Sequence, residues 1–175
     1  MGVPPLRERF ALLEDALQLL PVLWGPGSPS FKGSVIEVPE AICYPRPLQD
    51  RIPILVGGSG ERRTLRLVAQ YADACNLFDD AATVRHKVAV LRSHCADVGR
   101  DPAEITVNHL APVLVAEDRP ARLPPRTVAG TVEEHVGRFR ELADAGVQTA
   151  IVRLVDLGDT GPIERFADVI TAFTR

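Results

Sequence analysis

From residue 52 onward, short apolar segments that favour β-strands alternate with longer segments that favour helices. The strand candidates are residues 52–56, 74–78, 105–116 and 147–154. The helix candidates, which repeat apolar residues every three or four positions, are residues 61–71, 82–98, 131–145 and 162–174. Strands that are almost continuously apolar need cover on both faces, which is typical of parallel strands with helices packed against them. The order of the segments therefore predicts an α/β fold.

The segment before residue 52 follows a different pattern. Apolar spacing predicts a helix from Leu6 to Trp24, in which Pro21 is expected to bend the helix or remove a hydrogen bond. Residues 28–50 predict a hairpin-like excursion, and residues 117–130 a long surface loop. Together the 175 residues suffice for one domain, 1–175, and are too few for two ordinary ones.

Composition excludes several classes of protein. The chain is 46% hydrophobic and 25% charged with a net charge of -3, which disfavours disorder, a basic nucleic-acid binder and an acidic tail protein. No apolar run reaches the roughly 18 residues of a membrane span, and the first residues do not read as a signal peptide. Cys43, Cys75 and Cys95 are odd in number and widely spaced, which is typical of a reducing compartment. We therefore expect a cytoplasmic protein with no nucleic-acid and no membrane partner.

A glycine-rich turn after the first strand candidate is the sharpest candidate binding site. Gly57, Gly58, Ser59 and Gly60 stand between that strand and the next helix. Glycines let the backbone approach a ligand, and the free N–H groups of a helix's first turn favour an anion such as phosphate. Arg62, or the arginine after it, could add a charge-assisted hydrogen bond. The alternative is a tight turn in which Ser59 caps the helix, since neither a P-loop nor a complete GxGxxG is present.

Other polar residues give weaker signals. Asn76 and Asp79 follow the second strand candidate, Asn108 and His109 lie within the third, and Asp156 follows the fourth. Polar side chains at such positions are weak indications of a functional site. No spacing of His, Cys or acidic residues predicts a metal site, and no nucleophile or paired-carboxylate motif stands out. The sequence thus predicts no metal and leaves the catalytic residues unknown.

Three further features are interpreted as structural. Pro112 is expected to interrupt or bulge the third strand. Thr131 with Glu134 predicts a capping box at the start of a helix. Arg138 and Arg140, on that same helix, are interpreted as part of a solvated face.

Several segments, in order along the chain, resemble those of a known family. They are Leu6-Arg7-Glu8-Arg9-Phe10, Glu14-Asp15-Ala16-Leu17, Leu23-Trp24, Phe31-Lys32-Gly33, Pro45-Arg46-Pro47-Leu48-Gln49, the stretch from Pro53 to Leu65, Tyr71-Ala72-Asp73-Ala74-Cys75-Asn76, Gly99-Arg100-Asp101-Pro102 and Gly130-Thr131. Together they resemble the luciferase-like monooxygenase superfamily, especially its coenzyme F420-dependent oxidoreductases. The resemblance implies a partial TIM-type (β/α)8 barrel, of which this chain holds four parallel strands resembling strands five to eight.

The resemblance also implies a function. The family transfers hydride between a cofactor and a small organic substrate, and here the cofactor would be coenzyme F420 or, as the alternative, flavin mononucleotide (FMN). The turn from Gly57 to Gly60 would lie against that cofactor. The strands that carry the family's acid/base residues have no counterpart in this sequence, so no catalytic residue is carried over. A non-catalytic truncated subunit or interaction module is therefore the alternative function, and whether the chain alone is an enzyme stays open. A nicotinamide-binding Rossmann half is disfavoured.

A half-barrel would leave the outer edges of strands five and eight without partners. We expect such a chain to form a homo-oligomer or to bind a complementary half-barrel, in addition to a small-molecule substrate. In isolation it is expected to aggregate.

Overall fold

A parallel sheet forms the centre of the computed structural model, which describes residues 2–118, 121–155 and 160–174. The helices are α1 Leu6–Trp24, α2 Thr64–Tyr71, α3 Ala81–Val98, α4 Val132–Asp144 and α5 Gly161–Thr174. The strands are β1 Phe31–Lys32, β2 Glu37–Val38, β3 Leu55–Gly57, β4 Ala74–Leu77, β5 Thr106–Val115, β6 Val128–Gly130 and β7 Thr149–Leu154. The predicted α/β architecture and the predicted helix Leu6–Trp24 are confirmed.

Parallel pairing joins β3, β4, β5 and β7, the four strands that the sequence predicts. β5 is central, because β4 pairs with its first half on one edge and β7 pairs along the other. The sheet also contains β6, which pairs with the last residues of β5. Val113 pairs with Val128 of β6 and Leu154 of β7, so these two strands lie on opposite edges of β5. β6 therefore lies on the same edge of β5 as β4, beyond the end of β4.

The last residues of the segment predicted as a loop over 117–130 thus form a strand. Ala116 donates its N–H to the Gly130 carbonyl at 2.9 Å. This bond satisfies a backbone group on an edge of β5 that β4 is too short to cover.

Pro112 neither interrupts nor bulges β5, which runs unbroken from Thr106 to Val115. The N–H groups of even-numbered residues point to the β4 and β6 edge, as Thr106 and Ala116 show by donating to Asp73 and Gly130. Residue 112 lies between the end of β4 and the start of β6, where no strand of the described ranges offers an acceptor. The missing proline N–H therefore costs no hydrogen bond of the sheet.

The core lies between the sheet and its helices. Val56, Cys75 and Val107 point to this side and pack with fully buried residues of α2 and α3, such as Val68 and Val84. A second cluster joins Val113 and Val115 of β5 to α4 and α5. Because strand side chains alternate, the residues between these point to the opposite side, which we call the open face.

The three cysteines are free thiols. Burial raises the pKa of Cys75 to about 11 and also raises the pKa of Cys95. Both thiols therefore stay protonated at neutral pH and belong to the core.

Candidate functional site

The glycine turn is longer than the sequence suggests. β3 ends at Gly57 and α2 begins at Thr64, with Arg63 at the N-cap position and no side-chain cap. The interpretation of Ser59 as a helix cap is therefore wrong, because Ser59 lies too far ahead of the first helical turn. Gly58 has φ +126°, a conformation that favours glycine, and its N–H donates to the Asn76 carbonyl at 3.1 Å.

The turn presents free backbone donors next to an open space. Within the described part of the chain, the N–H groups of Ser59 and Gly60 donate to no protein acceptor. A Cβ on Gly57 would meet no atom within 4 Å, whereas one on Gly60 would lie 2.9 Å from Thr64 Oγ1. A ligand can thus approach the backbone closely at Gly57, and the free N–H groups fit an anionic group such as phosphate.

Contacts to α3 hold the turn in place. The Glu61 carboxylate accepts a 2.6 Å hydrogen bond from Lys87 Nζ and lies 3.3 Å from His86 Nε2. His94 Nε2 lies 2.8 Å from the Glu61 carbonyl oxygen. The Lys87 hydrogen bond is the main cause of a lowered pKa of Glu61. The sequence analysis missed Glu61 as an anchor, because its partners lie on a helix more than twenty residues away.

Arg62 lies apart from the four turn residues predicted with it. Its side chain is exposed and lines a groove between α1 and α2, together with Arg7 and Arg66. The structure therefore brings Gly57, Gly58, Ser59 and Gly60 together at the end of β3 and places Arg62 over a different surface.

A row of residues crosses the open face beside the turn. Gly57 pairs with Asn76, Asn76 with Asn108 and Asn108 with Thr149, so all four residues stand at one level of the sheet. Asn76 and Asn108 are 7% and 8% exposed. The Oδ1 atom of each is buried with no hydrogen-bond partner among the residues that the structure describes. A buried acceptor without a donor costs about 1–3 kcal/mol, so this row fits a ligand that carries N–H or O–H donors.

The rest of the open face is apolar and accessible. Leu55 and Ile151 point to it and are 47% and 37% exposed. In the described ranges, the outer edges of β3 and β7 pair with no other strand. The buried Oδ1 atoms of Asn76 and Asn108 thus lie on the same face as exposed apolar side chains.

The remaining polar residues of the sequence analysis serve the fold or lie elsewhere. His109 points to the helices, with Nε2 2.8 Å from the Asp79 carbonyl oxygen, and burial lowers its pKa. Asp156 lies outside the described residues. Among the residues that are described, no three His, Cys, Asp or Glu side chains form a group that could hold a metal ion.

Arg138 departs most from its prediction. Its Nε and Nη2 atoms are buried without a hydrogen-bond partner among the described residues, and its guanidinium lies 4.8 Å from the centre of the Phe139 ring. Burial lowers its pKa. Sequence patterns do not reveal this burial, because Arg138 and the exposed Arg140 lie only two residues apart on one helix.

Comparison with known proteins identifies the family. The sequence model of the luciferase-like monooxygenase family matches residues 1–124. The F420-dependent glucose-6-phosphate dehydrogenase of Nakamurella multipartita is 37% identical over 70 residues, which are 40% of this chain and 20% of that protein. The chain spans about a third (35%) of the length of the first curated relatives that it matches. No helix of the described ranges meets the length and apolarity that a membrane crossing requires.

Solved structures share the fold at low sequence identity. An F420-dependent secondary alcohol dehydrogenase in complex with an F420-acetone adduct superposes with a TM-score of 0.83 at 16% identity, covering 98% of this chain and 64% of that one. A riboflavin lyase with modified FMN superposes with a TM-score of 0.78 at 12% identity, covering 99% and 59%. The family match extends over more than two thirds of the sequence. The chain therefore belongs to the luciferase-like monooxygenase family.

Proposed function

We propose that this chain supplies the cofactor-binding half of an oxidoreductase that uses coenzyme F420, with FMN as the alternative, to transfer hydride to or from a small organic substrate. The observation that carries the proposal is the row of Gly57, Asn76, Asn108 and Thr149 beside the free N–H groups of the turn. The names of the similar proteins favour F420 over FMN.

The residues of the row fit a ring system with a phosphate-bearing tail. The open space at Gly57 leaves room for a flat ring against the backbone, and the free N–H groups of Ser59 and Gly60 suit the phosphate. The buried Oδ1 atoms of Asn76 and Asn108 suit ring N–H donors. When bound, the cofactor supplies the hydride chemistry, and the chain binds it, orients it and excludes water from it.

In this proposal a complementary half-barrel or a second copy of the chain covers the open face, and the assembly works in the cytoplasm. The unpaired edges of β3 and β7 and the exposed Leu55 and Ile151 support it. The catalytic residues stay unassigned. The second candidate is a non-catalytic subunit or interaction module, and the observation that favours it is the exposed apolar surface of the open face at Leu55 and Ile151.

A fluorescence titration with coenzyme F420, with FMN in parallel, tests the proposal. We expect saturable binding of F420 and weaker binding of FMN. Saturable binding of FMN alone would reverse the choice of cofactor. Binding of neither, by protein whose circular dichroism shows a folded α/β chain, would contradict the proposal and favour the interaction module.

A further inference from the structure

The sheet has a gap on one edge of β5. β4 ends at Leu77, which pairs with His109, and β6 begins at Val128, which pairs with Val113. Residues 110–112 therefore have no neighbouring strand on that edge in the part of the chain that the structure describes. A cavity of about 440 Å³ lies at the gap, and we call it the gap cavity. Its size falls within the range of small-molecule sites.

Apolar and charged side chains meet in the gap cavity. Phe78, Leu110 and Leu142 belong to its apolar lining. Among the described residues, the polar groups of its lining with buried atoms and no hydrogen-bond partner are Arg138 from α4 and Asp79 from the segment after β4. An apolar wall with a few buried polar groups is the usual composition of a small-molecule site.

Two nitrogens of the Arg138 guanidinium lack an acceptor among the residues that the structure describes. Its Nε and Nη2 atoms are buried and unpaired, and none of the carboxylates that the structure describes lies within 4.0 Å of it. A charged donor that is buried without a partner is costly, and a carboxylate is its best acceptor because two oxygens can meet the planar fork.

Asp79 carries the complementary unsatisfied group. Its Oδ2 atom is buried without a donor from the described ranges, although Asp79 lines the same cavity as Arg138. His109 is already bound to the Asp79 carbonyl, and burial favours its neutral form. Asp80 uses its carboxylate to cap α3 through Thr83. Arg126, Arg153 and Glu141 reach the cavity only from exposed positions, where solvent screens their charges.

From these contacts we propose that the gap cavity binds a small 2-hydroxy carboxylate. The ligand carboxylate would accept hydrogen bonds from Arg138, its hydroxyl would donate to Asp79, and its carbon skeleton would lie against Phe78 and Leu110. Each polar group of the ligand then forms a hydrogen bond with one of the two unsatisfied side chains. The cavity lies at the gap in the sheet, with Leu110 from the open face and His109, Leu142 and Arg138 from the helix side. Its polar groups Arg138 and Asp79 are not residues of the proposed cofactor row.

Binding of lactate, with propionate as the matched probe that lacks the hydroxyl, tests the proposal by NMR titration of the ¹⁵N-labelled chain. We expect millimolar affinity for lactate, as suits a ligand of few atoms, with shift changes centred on Phe78, Asp79 and His109. Propionate should bind more weakly. No saturable shift with lactate, or shifts centred elsewhere, would overturn the proposal.

Two substitutions assign the roles. Arg138→Met should weaken lactate binding at least about tenfold, whereas Arg140→Met, at an exposed arginine of the same helix, should leave it unchanged. Asp79→Ala should remove the preference for lactate over propionate. If Arg138→Met does not fold, Arg138→Lys keeps the charge without the fork and should bind lactate with reduced affinity. Equal lactate affinity of wild type and the Arg138 variant would contradict the assignment.

Discussion

The carboxylate of Asp15 holds residues 34–36 against α1. Asp15 is 2% exposed and accepts hydrogen bonds from the N–H groups of Ser34, Val35 and Ile36 at 2.9, 2.7 and 2.8 Å. Its pKa falls to about 2, because these bonds stabilise the charged form against the opposing effect of burial. Gly33 is required here, since a Cβ at that position would clash with the Asp15 carboxylate.

Asp15→Asn should destabilise the chain by about 2 kcal/mol near neutral pH, the magnitude of hydrogen bonds to a charged group. The folded pKa lies below the unfolded value of 3.8, so the stabilisation is complete above that value and is lost as pH falls towards about 2. The stability difference between wild type and variant should therefore shrink over that pH window. Urea unfolding at a series of pH values measures it, with the exposed Asp50→Asn as control. A difference that is constant from pH 6 to pH 2 would contradict this account.

Side chains in several of the segments that resemble the family hold parts of the fold in place. Arg100 donates to the Ala69 and Ala72 carbonyls at 3.2 and 2.8 Å and so closes the end of α2. Thr131 and Glu134 form the predicted capping box, and a Cβ on Gly130 would clash with Glu134. The sequence alone predicted the capping box, because its partners are three residues apart. The role of Arg100 depends on a contact between distant segments, which local patterns do not contain.

β5 organises the sheet because it is longer than its neighbours. β4 covers one edge of its first half and β6 covers the end of the same edge, while β7 runs along the other edge. Continuous apolar runs predicted the four main strands and apolar periodicity predicted the five α-helices of the described ranges, because burial against the sheet produces both patterns. β6 was not predicted, because a strand of three residues forms only where the free edge of β5 offers hydrogen bonds.

Because of the gap beside β5, a proline is tolerated at position 112, whereas a proline at position 111 should be costly. Pro112→Ala should change the free energy of unfolding by less than about 1 kcal/mol, since no hydrogen bond is gained and only chain entropy changes. Ala111→Pro should cost about 3 kcal/mol or more, because the Ala111 N–H points to β7. Thermal or urea unfolding of both variants measures the contrast. A clear stabilisation by Pro112→Ala would show that residue 112 faces a hydrogen-bond acceptor, and no cost of Ala111→Pro would contradict the assignment of its N–H to β7.

At the scale of the whole molecule, the open face is the side of the sheet on which apolar side chains stay exposed. It carries the exposed Leu55 and Ile151, and the sheet ends on both sides in edges without partners in the described residues. The family resemblance predicted this geometry, since it implied four strands of an eight-stranded barrel. The row of buried amides was not predicted, because it depends on the register between strands, which single-strand patterns do not fix.

We predict that the isolated chain associates through this face. Light scattering at micromolar concentration should give a mass well above the 19.0 kDa of one chain. Ile151→Glu should lower that mass, because it places a charge on the open face. Ile163→Glu, which replaces an exposed isoleucine on α5, should have no such effect. A stable monomer at every concentration would contradict the prediction.

The most direct test of the proposed cofactor site compares two glycine substitutions by fluorescence titration with coenzyme F420. Gly57→Val adds a side chain where the structure has open space, so the fold should survive while the approach of a ring to the backbone is blocked. Gly137→Ala, on α4, also adds atoms to open space but lies away from the row. The account predicts that wild type and Gly137→Ala bind F420 alike and that Gly57→Val loses binding at least about tenfold, or 1.4 kcal/mol. Equal binding by folded Gly57→Val would show that the glycine turn is not the cofactor site.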